Sequence, residues 1–335
     1  MQEMSRRNQH FTDSVIRRMT RVSLDCGAIN LAQGFPDFDP PKELTDRLKE
    51  VSQEGPHQYP ITMGAPNFRR AVSRKCGRFM GIPIDPDTNI VVTIGSTEAM
   101  VDTIFALTNP GDKIVMFSPY FENYRAQAIM ADCEPVFVPL VPPSFHFDPE
   151  VLEDAFRQHP KAILICNPSN PSGKVCTYDE LKRISELCIK YDAYAIMDRI
   201  KQYHDFNTVG AASPLMEAAV VGLEMPDEYY RKFGDHYAHM KGIFTGGMSD
   251  LDIPFTDPEG TYFVLADIAP YMKKGQSDVE FCVEMAQKVG VACVPGSSFF
   301  DEDVNHIVRL HFAKKDETLL AALDRLSNLR RIMCG

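Results

Sequence analysis

Short apolar runs alternate with helical patterns along residues 89–198. The apolar runs occupy residues 89–95, 113–119, 134–140, 161–168 and 193–198. Nearly continuous apolar runs are typical of strands that are buried on both faces, and helices between such strands indicate parallel pairing. We therefore predict an α/β fold, with a mostly parallel sheet covered by helices on both faces.

The pattern changes in the last third of the chain. Helices are predicted over residues 213–225, 226–244 and 315–333, and strands over residues 261–268, 291–296 and 306–313. This mixture predicts a smaller α+β domain. The predicted division is an N-terminal arm with part of the small domain (1–45), a large cofactor-binding domain (46–235) and a small C-terminal domain (236–335).

Composition narrows the classes of partner. The 335 residues carry a net charge of −11, which argues against nucleic acid or an anionic membrane surface as the main partner. No apolar run approaches the length of a membrane span. The nine cysteines show no metal-type pairing, so we expect reduced thiols, no metal site and a cytoplasmic protein.

Two motifs follow predicted strands. In GSTEA (95–99), Ser96 and Thr97 open a predicted helix, where free N–H groups suit a phosphate or a hydroxyl serves as N-cap. In NPSNPSG (167–173), two Asn-Pro pairs and a glycine force a turn at the strand end. The side chain of Asn170 either points into a cleft or caps that turn.

Two charged residues interrupt apolar surroundings. Asp198 ends the run AYAIMD, where a carboxylate can hold a pyridine nitrogen protonated or cap the next helix. Arg309 lies inside the apolar run HIVRLHFA. A buried guanidinium needs a partner, either a substrate carboxylate or an internal acidic residue.

The order of these and other segments resembles class I/II aminotransferases, which are fold-type-I pyridoxal-phosphate enzymes. The resemblance is greatest to the branch with kynurenine, glutamine, aromatic and aspartate aminotransferases. The segments that carry it are INLAQGFPDFDPP, HQYPITMGAPNFRRAV, VTIGSTEAM, SPYFENY, CNPSNPSGKV, AIMD, PEGTYFVLADI, VPGSSFF and VRLHFA. They extend from about residue 15 to the end of the chain, in the order of the family.

The resemblance implies a role for each matching residue around pyridoxal 5'-phosphate. It implies cofactor contacts for Ser96 and Thr97 (phosphate), Phe121 (ring stacking), Asn170 (phenolic oxygen), Asp198 (ring nitrogen) and Tyr59 (phosphate of the neighbouring subunit). Gly34 and Arg309 would bind the substrate α-carboxylate. The contact by Tyr59 implies a homodimer with shared active sites, and the substrates would be an amino acid and a 2-oxo acid.

The resemblance is interrupted after Asp198. In the family, a segment with a tyrosine, the Schiff-base lysine and a phosphate-binding arginine follows, whereas here the sequence continues directly as RIKQYHDFNTVGAASP. No catalytic lysine is therefore identified. Lys201 lies near the junction, but its segment matches a later helix of the family, so we do not expect it to replace the missing lysine.

Three functions follow as hypotheses. The first is an aminotransferase that moves an α-amino group between an amino acid and a 2-oxo acid, with doubtful catalysis because of the missing lysine. The second is an impaired or non-catalytic member that keeps the fold for binding or dimerisation. The third is a C–S lyase on the same scaffold, because a fold does not fix a reaction.

Aromatic residues near the matching segments bear on the choice of substrate. A pocket lined by Tyr120, Phe121, Tyr262 and Phe299 would accept aromatic or large neutral side chains. All four rings would equally suit a hydrophobic core.

Overall fold

The computed structural model describes residues 5, 13–54, 57, 61–196 and 212–334. The chain forms two compact units. The first unit comprises residues 1–38, 111–196 and 235–335, and the second comprises residues 39–110 and 197–234. The predicted domain boundaries at residues 45 and 235 stay a prediction. The second compact unit ends at residue 234, next to the predicted boundary at residue 235.

A five-stranded sheet forms one part of the first unit. Its strands are β2 (Lys113–Ser118), β3 (Glu134–Val141), β4 (His146–Phe147), β5 (Ala162–Leu164) and β6 (Tyr194–Ile196). They are arranged in the order β4-β3-β2-β5-β6, and every pair is parallel except β3 with β4. The predicted parallel sheet is confirmed. Residues 114–116 of β2 are fully buried at its centre.

Three helices connect these strands. They are α5 (Asn123–Met130), α6 (Pro149–Arg157) and α7 (Tyr178–Tyr191). Helix α7 begins with a capping box, in which Thr177 and Glu180 each accept a hydrogen bond from the backbone N–H of the other. Such boxes satisfy donors that a helix start leaves unpaired. Residues at the start of α7 therefore determine where the NPSNPSG turn ends and the helix begins.

A second, antiparallel sheet belongs to the same unit. It consists of β7 (Phe255–Thr256), β8 (Phe263–Asp267), β10 (Val294–Pro295) and β11 (Ile307–His311), in the order β10-β11-β8-β7. A separate parallel pair joins β1 (Ile29–Asn30) to β9 (Val291–Ala292). The accompanying helices are α1 (Val15–Cys26), α10 (Asp278–Lys288), α11 (Asp316–Leu326) and α12 (Leu329–Cys334). This mixture of short strands and helices agrees with the predicted α+β character.

The second unit is helical in its described part. Its helices are α2 (Lys42–Glu54), α3 (Pro66–Met80), α4 (Gly95–Leu107) and α8 (Ser213–Leu223), and α9 (Asp227–Asp250) has residues in both units. Helix α8 packs on α2 and α3, with Val51, Ala71 and Met216 buried.

The strand predicted over residues 89–95 is wrong. Residues 89–94 form no strand, and Gly95 already belongs to α4. Val92 N–H donates one hydrogen bond to the carbonyl of Met63, at 3.2 Å, and the side chain of Ile94 is 65% exposed. A β-rich sequence forms a strand only where a neighbour pairs with it. No described strand of the second unit offers such a partner.

None of the described helices is both long enough and apolar enough to cross a membrane.

Candidate active site

Arg309 is the central residue of the candidate site in the first unit. It lies in the middle of β11 and is 2% exposed. Its Nη1 donates to Asn170 Oδ1 at 2.8 Å and its Nη2 donates to the Ala32 carbonyl at 3.0 Å, whereas Nε has no partner among the described atoms. Burial lowers the pKa of Arg309 to about 10, so the group stays cationic at neutral pH.

No carboxylate forms an ion pair with Arg309 within the described part of the chain, although the charge of Glu122 raises the pKa of Arg309 against the larger effect of burial. Its guanidinium lies 4.2 Å from the ring centre of Phe263 and 4.8 Å from that of Phe299. Aromatic faces stabilise a cation without cancelling its charge. A buried guanidinium with a free N–H and no ion-pair partner among the described residues is the group that a ligand carboxylate would pair with.

The two asparagines of the NPSNPSG turn make different contacts. Asn167 Oδ1 accepts from the backbone N–H of Cys176 at 2.9 Å and thus holds the turn. Asn170 instead directs its amide oxygen to Arg309. Of the two interpretations of Asn170, the structure shows the one in which the side chain points away from the turn instead of capping it.

Gly34 has a free backbone donor close to these residues. In residues 31–35, the N–H of Leu31 donates to Ala292, and the N–H groups of Ala32 and Gln33 both donate to Asn30 Oδ1. The N–H of Phe35 donates to the carbonyl of Gln33 at 2.8 Å. Within this segment, the N–H of Gly34 alone has no described acceptor, which leaves it available to an anion.

The environment of Gly34 requires glycine. A Cβ atom at this position would lie 2.8 Å from ring carbons of both Tyr262 and Phe263. The hydroxyl of Tyr262 donates to the Gly34 carbonyl at 3.1 Å, and Lys314 Nζ donates to the next carbonyl, that of Phe35, also at 3.1 Å. The carbonyl groups of Gly34 and Phe35 are therefore both held by side chains.

Phe121 packs against Tyr124, which lines a small cavity beside Asn170. Their ring centres are 5.7 Å apart in an edge-to-face arrangement. Tyr124 lines a cavity of about 30 Å³ together with Cys166 and Asn170, and burial and the neighbouring Cys166 raise the pKa of Tyr124 well above its ordinary value. Ligand pockets usually measure roughly 300–1,000 Å³, so a cofactor in contact with Asn170 would lie outside this cavity.

Ser96 and Thr97 lie in the second unit. Helix α4 begins at Gly95, which has a φ of 75°, and both hydroxyl residues occupy its exposed first turn. The alternative in which one of them is the N-cap is wrong, because the helix begins before them and its N-cap is Ile94. Their phosphate contact stays a prediction.

Three predicted residues lie outside the described residues: Tyr59, Asp198 and Lys201. Two of the four pocket aromatics belong to the core, since Tyr120 is 7% exposed and Phe299 is fully buried. Sequence reasoning missed Asn30, whose amide organises the Gly34 segment, and His311, which is fully buried two residues from Arg309. An asparagine just before a glycine-containing turn was an available signal for Asn30.

Curated relatives match almost the whole chain. The probable N-succinyldiaminopimelate aminotransferase DapC of Mycobacterium tuberculosis is 28% identical over 386 aligned positions, which cover 95% of this chain and 96% of that protein. Human kynurenine–oxoglutarate transaminase 3 is 25% identical, covering 95% and 88%. The solved structure of YbdL from Escherichia coli, whose report identifies a methionine aminotransferase function, superposes with a TM-score of 0.91 at 25% identity over 99% and 100% of the two chains.

The family match is divided at the place where the sequence departs from the resemblance. The model of the family described as aminotransferase class I and II matches residues 27–206 and, separately, residues 199–326. In the alignment with DapC, 95% of 335 residues is about 318, so about 68 of the 386 positions fall opposite gaps in this chain. The two matches together span most of the sequence, and the chain belongs to the aminotransferase class I and II family.

Proposed function

We propose that this protein binds pyridoxal phosphate together with an amino acid or a 2-oxo acid, as an aminotransferase that exchanges the α-amino group between them. The observation that carries the proposal is the buried guanidinium of Arg309, which has no ion-pair partner among the described residues. It lies beside the amide of Asn170 and near the N–H of Gly34, which has no described acceptor. The donors suit a carboxylate, since guanidinium groups pair with its two oxygens.

The residues of the first unit would bind and orient the substrate. Arg309 would take the α-carboxylate on its free donor capacity, and the Gly34 N–H would add a second contact. The rings of Phe263 and Phe299 exclude water from the guanidinium, which strengthens its attraction for an anion. Such contacts fix the α-carbon in one orientation.

Other residues would hold the cofactor. Asn170 and Phe121 would contact its ring, Ser96 and Thr97 its phosphate, and Asp198 its ring nitrogen. When bound, pyridoxal phosphate supplies the electron sink for chemistry at the α-carbon. The proposed contact of Tyr59 with a neighbouring subunit requires a homodimer.

We further propose that amino-group transfer is impaired in this chain. The family match is divided at residues 199–206, next to Asp198, and the alignment with DapC leaves about 68 positions opposite gaps in this chain. We infer that the family's lysine-bearing segment falls in such a gap after Asp198. That lysine would serve as the covalent anchor and as the group that moves the α-proton. Lys201 is not expected to replace it. A role in binding without turnover is the alternative that this observation favours.

The experiment combines spectroscopy with covalent trapping. The purified chain is mixed with pyridoxal phosphate, freed of excess, and examined by visible absorbance; it is then reduced with borohydride and mapped by peptide mass spectrometry. We expect retained cofactor, no lysine modified at the site, and no amino transfer between alanine and 2-oxoglutarate. The Arg309→Leu variant should retain the cofactor but not the 2-oxo acid.

Other outcomes would change specific parts of the proposal. A modified Lys201, lost in a Lys201→Arg variant, would show that the chain has its own covalent lysine. Release of a thiol and ammonia from a cysteine conjugate would indicate a lyase. Absence of cofactor and 2-oxo acid binding would remove the proposal as a whole. The intact mass of the natural protein would show whether its chain has the 37.7 kDa of this sequence.

A further inference from the structure

His311 lies next to the carboxylate-binding group, although no role has been assigned to it so far. It follows Arg309 by two residues in β11, so both side chains are on the same face of the strand. Its partner directly across the sheet is Phe263 in β8, the same ring that contacts Arg309 and Gly34. His311 is fully buried.

Both ring nitrogens of His311 lack a hydrogen-bond partner among the described residues. The Asn30 carbonyl is close to the ring but outside hydrogen-bond geometry. A buried polar group without a partner costs roughly 1–3 kcal/mol, and an apolar side chain of similar size would avoid that cost. A histidine here therefore calls for an explanation beyond core packing.

The charges around His311 keep it neutral. Burial, Lys314 and Arg309 lower its pKa to about 3, against weaker opposing effects of the Asn30 carbonyl and of Asp37. A neutral imidazole still has a lone pair and a dipole, which an apolar side chain lacks. An acidic residue in this position would pair with Arg309 and cancel the charge that a ligand needs.

His311 also contacts the residue that holds Gly34. Its ring meets that of Tyr262 edge-to-face, with centres 6.3 Å apart and planes at 76°. The hydroxyl of Tyr262 in turn donates to the Gly34 carbonyl at 3.1 Å. One ring therefore separates His311 from Gly34, whose backbone N–H has no described acceptor.

We propose that His311 is a positioning residue of the carboxylate site, which supports the ring of Tyr262 against Gly34 and places a polar, uncharged group beside Arg309. The inference rests on the proposed function, because it concerns the same carboxylate. His311 does not touch the ligand; it acts through Tyr262 and through the electrostatic environment of Arg309.

Calorimetric titration of the full chain, loaded with pyridoxal phosphate, with 2-oxoglutarate tests this inference. We expect His311→Leu, which removes the polar atoms, to weaken binding about 3- to 10-fold, and His311→Asn, which keeps a neutral polar group, to stay within about twofold of the wild type. Tyr262→Phe should weaken binding to a similar extent. Because both residues act on one peptide, the double variant Tyr262→Phe/His311→Leu should bind about as well as Tyr262→Phe alone.

Val308→Ala is the matched control. Val308 is buried in the same strand, but its side chain is on the opposite face, so its loss perturbs packing without touching the site. Binding within twofold of the wild type is expected, and thermal melting verifies that every variant is folded. Should His311→Leu fail to fold, His311→Ala, which also removes the polar atoms, replaces it alone and in the double variant with Tyr262→Phe.

Several results would overturn the inference. These are unchanged binding in His311→Leu, equal weakening in Val308→Ala, and strictly additive effects in the double variant. In each case the Arg309-dependent binding of the wild type would leave the proposed function intact. If wild type and Arg309→Leu bound the probe equally, the proposed function would fail, and the role of His311 with it.

Discussion

Arg309 donates a hydrogen bond to Asn170 Oδ1 at 2.8 Å, although the two residues are 139 positions apart in the sequence. One lies in a strand of the antiparallel sheet and the other in the turn that follows β5 of the parallel sheet. The contact brings together a residue that sequence reasoning had assigned to the cofactor, Asn170, and one that it had assigned to the substrate carboxylate, Arg309. It is the geometric basis of the first two predictions.

Arg309→Lys should abolish most binding of the 2-oxo acid while preserving the positive charge. The guanidinium donates hydrogen bonds to Asn170 and Ala32, and its Nε–H is still available to a ligand. The ammonium of lysine is a point charge and cannot make the same planar set of hydrogen bonds. Each charge-assisted hydrogen bond is worth about 1.5–3 kcal/mol, so we expect a loss of roughly 10- to 100-fold. Calorimetric titration measures it.

Arg325→Lys provides the comparison for that variant. Arg325 also donates to a backbone carbonyl, that of Gly290, at 2.7 Å, but belongs to helix α11. Its replacement should leave 2-oxo acid binding unchanged. Equal losses in both variants would mean that the effect on binding is not specific to Arg309.

Asn170→Ala and Asn167→Ala should separate binding from stability. Asn170→Ala removes the contact to Arg309 and should weaken ligand binding. Asn167→Ala leaves the N–H of Cys176 without its acceptor and should lower the free energy of unfolding by about 1 kcal/mol while binding persists. Urea denaturation and calorimetric titration of both variants test this division of tasks; the reverse pattern would refute it.

The sequence contained most of the information on the elements. Apolar runs predicted β2, β3, β5, β6, β8 and β11, since strands such as β5 and β11 are buried on both faces and must be apolar there. Arg309 was conspicuous because a charge interrupts such a run. The failure at residues 89–95 has a physical origin as well. The local sequence encodes β propensity, but pairing depends on residues distant in the chain.

The details of the carboxylate site were less accessible. The roles of Tyr262 and Phe263 depend on how closely their rings approach Gly34, and no sequence pattern encodes that distance. His311 looks like any residue of a buried strand until its unpartnered nitrogens and the flanking cations are visible. The separate tasks of Asn167 and Asn170 likewise depend on contacts outside their own segment.

Gly34→Ala should damage the site through steric conflict. The added Cβ would lie 2.8 Å from ring carbons of Tyr262 and Phe263, and these rings are held by Arg309, His311 and the Gly34 carbonyl itself. Overpacking of this kind costs about 1–3 kcal/mol, and displacement of the peptide should also weaken 2-oxo acid binding. Thermal melting and titration measure the two effects.

Gly246→Ala is the matched control for that prediction. Gly246 lies inside α9 with no heavy atom within 4 Å of the added Cβ, so alanine should be neutral or stabilise the helix by up to about 1 kcal/mol. Destabilisation of Gly246→Ala to the same extent as Gly34→Ala would argue against a specific clash at Gly34.

The buried histidine should make stability depend on pH in a predictable direction. In the folded chain the pKa of His311 is lowered to about 3 from its ordinary 6.5, so between these values the unfolded chain binds the additional proton. The stability contributed by neutral His311 is therefore complete above pH 6.5 and is lost progressively as the pH falls toward 3. Between pH 7.5 and 5 the loss is about 2 kcal/mol.

Urea denaturation of wild type and His311→Leu at both pH values isolates this effect, because all other titrating groups are common to the two proteins. The wild type should lose about 2 kcal/mol more than the variant; equal losses would mean that His311 takes up a proton in the folded chain and is not the neutral neighbour of Arg309 described above.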